Sequence, residues 1–107
     1  MSATVLKSQV VTIAAQNDAA TVLGFPSAGA VAVQITGALS ATIAFEATVD
    51  GTNWVAFNMT PSNSGTAASS ATAAGAFSAL TLGYAGIRAR CSTYSSGSPV
   101  VTVRYSS

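Results

Sequence analysis

Histidine is absent from the 107 residues, and Cys91 is the only cysteine. The missing imidazole removes the commonest general base and the commonest metal ligand together. A single thiol excludes an intrachain disulfide and a cysteine-based zinc site. Charge is equally sparse: 7% of the chain is ionisable as Asp, Glu, Lys or Arg, for a net charge of +1. That balance excludes the basic stripe that neutralises phosphates, as well as an acidic tail or a basic surface helix. The three carboxylates are Asp18, Glu46 and Asp50. Asp50 belongs to a turn and Glu46 is expected to have an arginine neighbour, which leaves no pair free for general acid–base work. No glycine-rich phosphate loop opens a helix, and Asp50-Gly51-Thr52-Asn53 offers too few oxygens for calcium. The chain is therefore expected to be no enzyme and to hold no metal or cofactor. No run of 18 apolar residues suggests a membrane-spanning helix. Lys7 follows Val5-Leu6 and polar residues follow it, so no secretory leader is expected.

What remains is rich in Ala, Ser, Thr and Gly. An Ala/Val core buries little area per residue, at about 0.8 kcal/mol per methylene, so a domain of this size is expected to gain from oligomerisation. The dominant pattern is alternation of period 2, which marks strands with one face in a core. It runs through Val31, Val33 and Ile35, through Ile43, Phe45, Ala47 and Val49, through Ala85, Ile87, Ala89 and Cys91, and through Val101, Val103 and Tyr105. Weaker candidates are 9–14 and 21–25 around a turn at Gln16-Asn17-Asp18, then 53–60 and 72–80. Turn residues separate these runs, and the polar stretch from Pro61 to Ser70 reads as a mobile surface loop. The sum is an all-β fold of about eight strands, an antiparallel β-sandwich of jelly-roll-like type. No linker divides it, so residues 1–107 read as one domain, with residues 1–8 as an extended arm.

Two hairpins set the candidate surface. Asp50-Gly51 is a tight-turn pair. An odd-length loop there places Val55, Phe57 and Met59 on the face of Phe45 and puts Trp54 on the other face; that register buries more apolar area than the alternative. Trp54 then either folds over the end of the sandwich or faces a partner. A second hairpin is expected from Tyr84 to Tyr105, turning at 95–98. If both its arms face one core, Arg88, Arg90 and Arg104 share the outer face with Tyr84 and Tyr94. This group is either a solvated face partly neutralised by Glu46 or Asp50, or an Arg/Tyr contact surface for an acidic partner. Cys91 falls in the apolar phase and is expected to be a buried, inert thiol.

The stretch Phe45-Glu46-Ala47-Thr48-Val49-Asp50-Gly51-Thr52-Asn53-Trp54 resembles a hairpin of β-sandwich modules in tailed-phage virion proteins. Gly83-Tyr84-Ala85-Gly86-Ile87-Arg88-Ala89-Arg90 and Ser96-Gly97-Ser98 with Val101-Thr102-Val103 look similar, in the same order. The resemblance spans Val31 to Tyr105 and leaves the first 30 residues unmatched. A free-standing module of this length is most like a capsid decoration (cement) protein. The resemblance implies binding to the major capsid protein on the outer shell, as a homo-oligomer, with a trimer favoured. It implies synthesis in the host cytoplasm and a place on the virion. The competing function is a carbohydrate-binding or receptor-binding module of a tail, fibre or collar, with Trp54 or Tyr84 stacking on a sugar; a pilus or surface-layer subunit is the third.

Overall fold

The computed structural model describes residues 6–24, 29–63, 65–81 and 83–106. Ten strands follow in order: β1 (Leu6–Thr12), β2 (Ala19–Leu23), β3 (Ala30–Thr36), β4 (Leu39–Thr48), β5 (Val55–Ala56), β6 (Thr60–Pro61), β7 (Ser70–Ala71), β8 (Gly75–Leu80), β9 (Gly86–Gly97) and β10 (Val100–Ser106). They form two antiparallel sheets, β1-β10-β3-β8-β6 and β2-β9-β4-β5, with β7 also paired to β4. The fold is all-β and sandwich-like, as the alternation implied. The expected run 53–60 appears as two short strands, β5 and β6, and β7 is a further two-residue strand, which gives ten in place of eight.

The core is filled from alternate positions of both sheets. Val31, Val33 and Ile35 of β3 and Val101, Val103 and Tyr105 of β10 meet Ile43, Phe45 and Ala47 of β4 and Ile87, Ala89 and Cys91 of β9, all at most 1% exposed. Phe77 of the first sheet packs on Phe45 of the second at 4.9 Å between ring centroids, tilted by 51°. This pair supplies the bulk that the surrounding Ala and Val side chains lack.

The topology corrects one expectation. Tyr84 to Tyr105 is not a hairpin, because β9 pairs with β4 in one sheet and β10 lies between β1 and β3 in the other. β9 follows β4 as far as Leu39↔Gly97 and then hands the chain across the sandwich at Ser98-Pro99. Gly97 is required there: its φ is +98°, and an added Cβ would stand 2.5 Å from the Ala38 carbonyl oxygen.

Gln16-Asn17-Asp18 likewise joins the two sheets. Asp18 Oδ2 accepts the N–H groups of Ala14 and Ala15 at 2.9 and 3.0 Å, and Asn17 takes a φ of 75°. Gln9 clasps the seam, its Oε1 accepting the Thr21 N–H at 2.6 Å.

The stretch 61–70, expected as a mobile loop, is tied at its ends. Met59 is 1% exposed and exchanges backbone hydrogen bonds with Ala68 at 2.9 and 3.0 Å, and Phe45 N–H donates to the Ser69 carbonyl at 2.8 Å. Burial of Met59 draws the segment inward. Of the expected arm, residues 1–5 lie outside the described residues, while Leu6, Lys7 and Ser8 pair with Ser106, Tyr105 and Arg104.

Phe45→Ala is expected to cost about 3–5 kcal/mol in urea unfolding, since the inter-sheet ring contact leaves a cavity that Ala and Val neighbours cannot fill. Leu80→Ala, at a side chain 76% exposed, is expected to stay within about 0.5 kcal/mol of the parent.

Candidate interaction surface

Register sets the outer face of the second sheet. Arg88 lies between Thr21 of β2 and Glu46 of β4, and Glu46 is followed across the sheet by Ala56 of β5. Arg90 lies beside it, between Ala19 and Ala44. Glu46 is therefore flanked by two guanidinium groups. Arg90 Nε and Nη2 reach Oε1 and Oε2 at 3.0 and 3.1 Å, and Arg88 Nε reaches Oε1 at 2.6 Å. Arg90 Nη1 also donates to Asn17 Oδ1 at 2.9 Å, which anchors the cluster to the β1–β2 turn.

Trp54 arrives on this face from the Asp50 turn. Asp50 Oδ1 accepts the N–H groups of Thr52 and Asn53, both at 2.8 Å, and the Thr48 hydroxyl at 3.0 Å; Oδ2 accepts Asn53 Nδ2 at 2.7 Å. These bonds, led by the Asn53 N–H, hold the Asp50 carboxyl well below the usual range. The turn sets the expected odd register: Ala47 faces Val55, Phe57 packs on the core, Met59 is buried, and Trp54 points the other way. Val55 itself is 59% exposed, because β5 ends at the sheet edge. The Arg88 guanidinium sits 4.4 Å over the Trp54 ring centroid.

The cluster has three charges, two positive and one negative. Burial alone would raise the Glu46 pKa, but the hydrogen bonds from Arg90 and Arg88 outweigh it and the net shift is downward. Arg90 is engaged at all three nitrogens by Glu46 and Asn17. Arg88 is not: its Nε and one face are engaged, and its Nη groups make no hydrogen bond among the described residues. The surface thus presents an aromatic ring beside an open guanidinium edge, whose paired N–H donors have the geometry of a carboxylate's two oxygens.

The other expected members lie elsewhere. Arg104 of β10 is on the outer face of the first sheet, across the sandwich from Arg88 and Arg90. It rims a shallow depression of about 350 Å³ lined by Ala32, Gln34, Ala76 and Thr102. Tyr84 sits in the β8–β9 connection, edge-on to Phe57 at 5.1 Å and 71°. Tyr94 turns toward the core, because Thr42 faces Thr93 while Ile43 faces Cys91. The extra residue, Ser92, is a bulge, and one inserted residue exchanges the two faces of the positions that follow, here as far as the second register shift after Tyr94. Tyr94 Oη then donates to the Gly97 carbonyl at 2.7 Å. Asn17 was invisible to sequence reasoning: it stands 73 residues from Arg90, and a turn Asn carries no mark of a remote partner.

Cys91 is 0% exposed, and its pKa is raised, first by burial and then by Asp18. Among the described residues, no three His, Cys, Asp or Glu side chains group as metal ligands would.

No protein-family profile matches the chain. No curated protein matches it in sequence. Solved structures do share its fold. The exported protein XepA of PBSX superposes with a TM-score of 0.74 at 17% identity, over 95% of this chain and 38% of XepA. The SPBc2 prophage-derived protein YomS superposes with a TM-score of 0.73 at 14% identity, over 98% of both chains. The chain thus spans little more than a third of XepA but nearly all of YomS.

Glu46 is more acidic folded than unfolded, so its contribution to stability is complete above the ordinary carboxylate value of 4.5 and is lost as pH falls through the lowered one. Urea midpoints measured from pH 6 down to about pH 3 should therefore drop more steeply in the parent than in Glu46→Gln. Equal slopes would show that the arginines do not hold this carboxylate. Cys91 should resist a thiol reagent in the native state and react fully in denaturant.

Proposed function

We propose that this chain is a non-enzymatic structural module of a phage virion, a decoration protein that binds the outer surface of the capsid shell and stiffens it. The observation that carries the reading is the shared fold: the chain superposes along nearly its whole length on two phage-derived proteins. The Asp50-Gly51 hairpin, which resembles that of virion β-sandwich modules, supports it from the sequence side. The outer face of the second sheet is the docking surface in this reading. Trp54 gives a rigid apolar anchor and Arg88 an unsaturated guanidinium edge, the residue types that dominate interface energetics. The partner is then an acidic patch on the major capsid protein, and the working form a small homo-oligomer whose weak contacts add across a repeating lattice.

Stacking of Trp54 on a sugar ring is less favoured, since Arg88 already covers one face of the indole.

The reading is tested by co-sedimentation with assembled, undecorated shells of the cognate phage and by the shells' melting temperature. Binding, a raised melting temperature and weakening with added salt are expected. Trp54→Ala and Arg88→Ala are each expected to reduce affinity at least about tenfold, while Arg104→Ala on the opposite sheet leaves it unchanged. Failure of the parent protein to bind shells under any salt condition would sink the proposal.

A further inference from the structure

Four strand edges border the two sheets, and three are blunted. β6 is two residues long and ends in Pro61, and β5 and β7 are also two residues long. On β2 the free edge carries the Thr21 N–H, which is already occupied by Gln9 Oε1. β1 is different: seven residues long, paired with β10 on one side.

The polarity of its free side follows from one bond. Ile13 N–H donates to the Pro99 carbonyl at 2.8 Å, so the pairs bonded to β10 fall on odd residues of β1: Val11 with Val101, Gln9 with Val103, Lys7 with Tyr105. Ser8, Val10 and Thr12 therefore aim both N–H and C=O away from the sheet. Their side chains form the outer row, all three exposed, and none is charged. Val10 is 62% exposed, a large apolar side chain that the monomer does not explain. Lys7 is the one charge on the strand; it sits on the inner row and its Nζ reaches toward Gly24 of the other sheet.

We propose that β1 is the contact between two copies of this chain, paired antiparallel about a two-fold axis through Val10. The register is self-complementary: Val10 opposes its own copy, and Ser8 opposes Thr12 of the second copy in both directions. All three pairs join residues whose backbone groups point outward, giving about six interchain hydrogen bonds. On the inner row, Gln9 meets Val11 and Lys7 meets Ile13, so no like charges face one another. The two Arg104 side chains stay at least three strand spacings apart, about 14 Å, beyond the screening length of about 8 Å. The first sheet becomes continuous across both copies.

The two-fold axis of an antiparallel ladder stands perpendicular to the sheet. Both second sheets therefore lie on the same side of the dimer, and both Trp54–Arg88 surfaces face one way. A pair of identical surfaces aimed in one direction suits two-point attachment to a flat repeating lattice. The dimer itself does not depend on that use. It also differs from the trimer that the resemblance to decoration proteins implies, because a two-fold edge contact closes on two copies.

The test is sedimentation of the whole chain over a concentration series. The parent is expected to reach twice its 10.5 kDa mass. Val10→Pro removes an N–H on the free edge while sparing every β1–β10 bond, and it is expected to weaken self-association at least tenfold with the monomer's circular dichroism intact. Val10→Lys sets like charges on the axis and should dissociate the dimer in a way that added salt partly reverses. Hydrogen exchange at the Ser8, Val10 and Thr12 amides should slow as concentration rises, a readout that needs no variant. A parent that stays at 10.5 kDa up to millimolar concentration overturns the proposal, as does dimerisation unaffected by either substitution. A larger assembly that leaves these three amides unprotected overturns it too.

Discussion

Two sheets face each other with side chains too small to tolerate a misplaced strand. β3, β10, β4 and β9 each turn three alternate residues into the space between the sheets, and most are Val, Ile or Ala. A slip of one residue in any of these strands would exchange Ala, Thr and Gln for the core and expose the apolar row, and the few bulky rings, Phe45, Phe77 and Tyr105, could not fill the gaps left. Parity is therefore the governing constraint. It fixes which residues remain for the surface, and hence the positions of Arg88, Arg90, Glu46 and Trp54 on one outer face and Arg104 on the other.

That constraint is also what the sequence states most openly. Alternation alone locates β3, β4, β9 and β10 and divides most of their residues between core and surface. It fails at the end of β4, where Thr48 is buried and Val49, past the strand, is 68% exposed. The Asp50 turn gives the direction of Trp54. Sheet membership is not readable in the same way. Ser95 to Pro99 has the composition of a hairpin turn, and nothing local separates a turn within one sheet from a crossing between two; the difference lies in β9 continuing along β4 to Gly97. This is why Arg104 appeared to join Arg88 and Arg90 but lies across the sandwich. The Ser92 bulge is hidden for a related reason, since an extra Ser in a Ser/Thr-rich strand disturbs no apolar pattern until Tyr94, whose inward turn depends on it. The two-residue strands are below the length at which any periodicity exists.

The few charges are arranged so that the negative ones are spent internally. Asp18 accepts two backbone N–H groups, Asp50 organises its turn, and Glu46 is shared between two arginines. On the positive side, Arg90 is likewise committed, whereas Arg88 keeps its Nη groups open and Arg104 makes no ion pair among the described residues. A net charge of +1 therefore understates the asymmetry that a partner would meet. Arg88 and Arg104 stand on opposite faces, Arg88 beside the Glu46 it shares with Arg90 and Arg104 across the sandwich on the first sheet. Binding through either face draws on a local guanidinium contact rather than on a long-range field, which suits docking at short range after encounter and gives little steering from a distance.

The two faces differ in what they can recognise. Around Arg104 the first sheet presents mainly Ser, Thr, Ala and Gln, with Val10 of β1 and Leu80 of β8 standing exposed as larger apolar side chains. Flat, small-residue surfaces gain little from burial and discriminate poorly, but they leave backbone edges accessible, and β1 is the edge that no proline, bulge or side-chain cap closes. The second sheet concentrates its few large polar and aromatic groups near Glu46. There the carboxylate costs desolvation yet holds both guanidinium groups in fixed orientation, so that Arg88 meets Trp54 already aligned. A surface pre-ordered in this way loses little side-chain freedom when it is covered. Backbone pairing along β1 and contact through the Arg–Trp cluster would use different atoms on different sheets, so the proposed self-association and partner binding would not compete for the same surface.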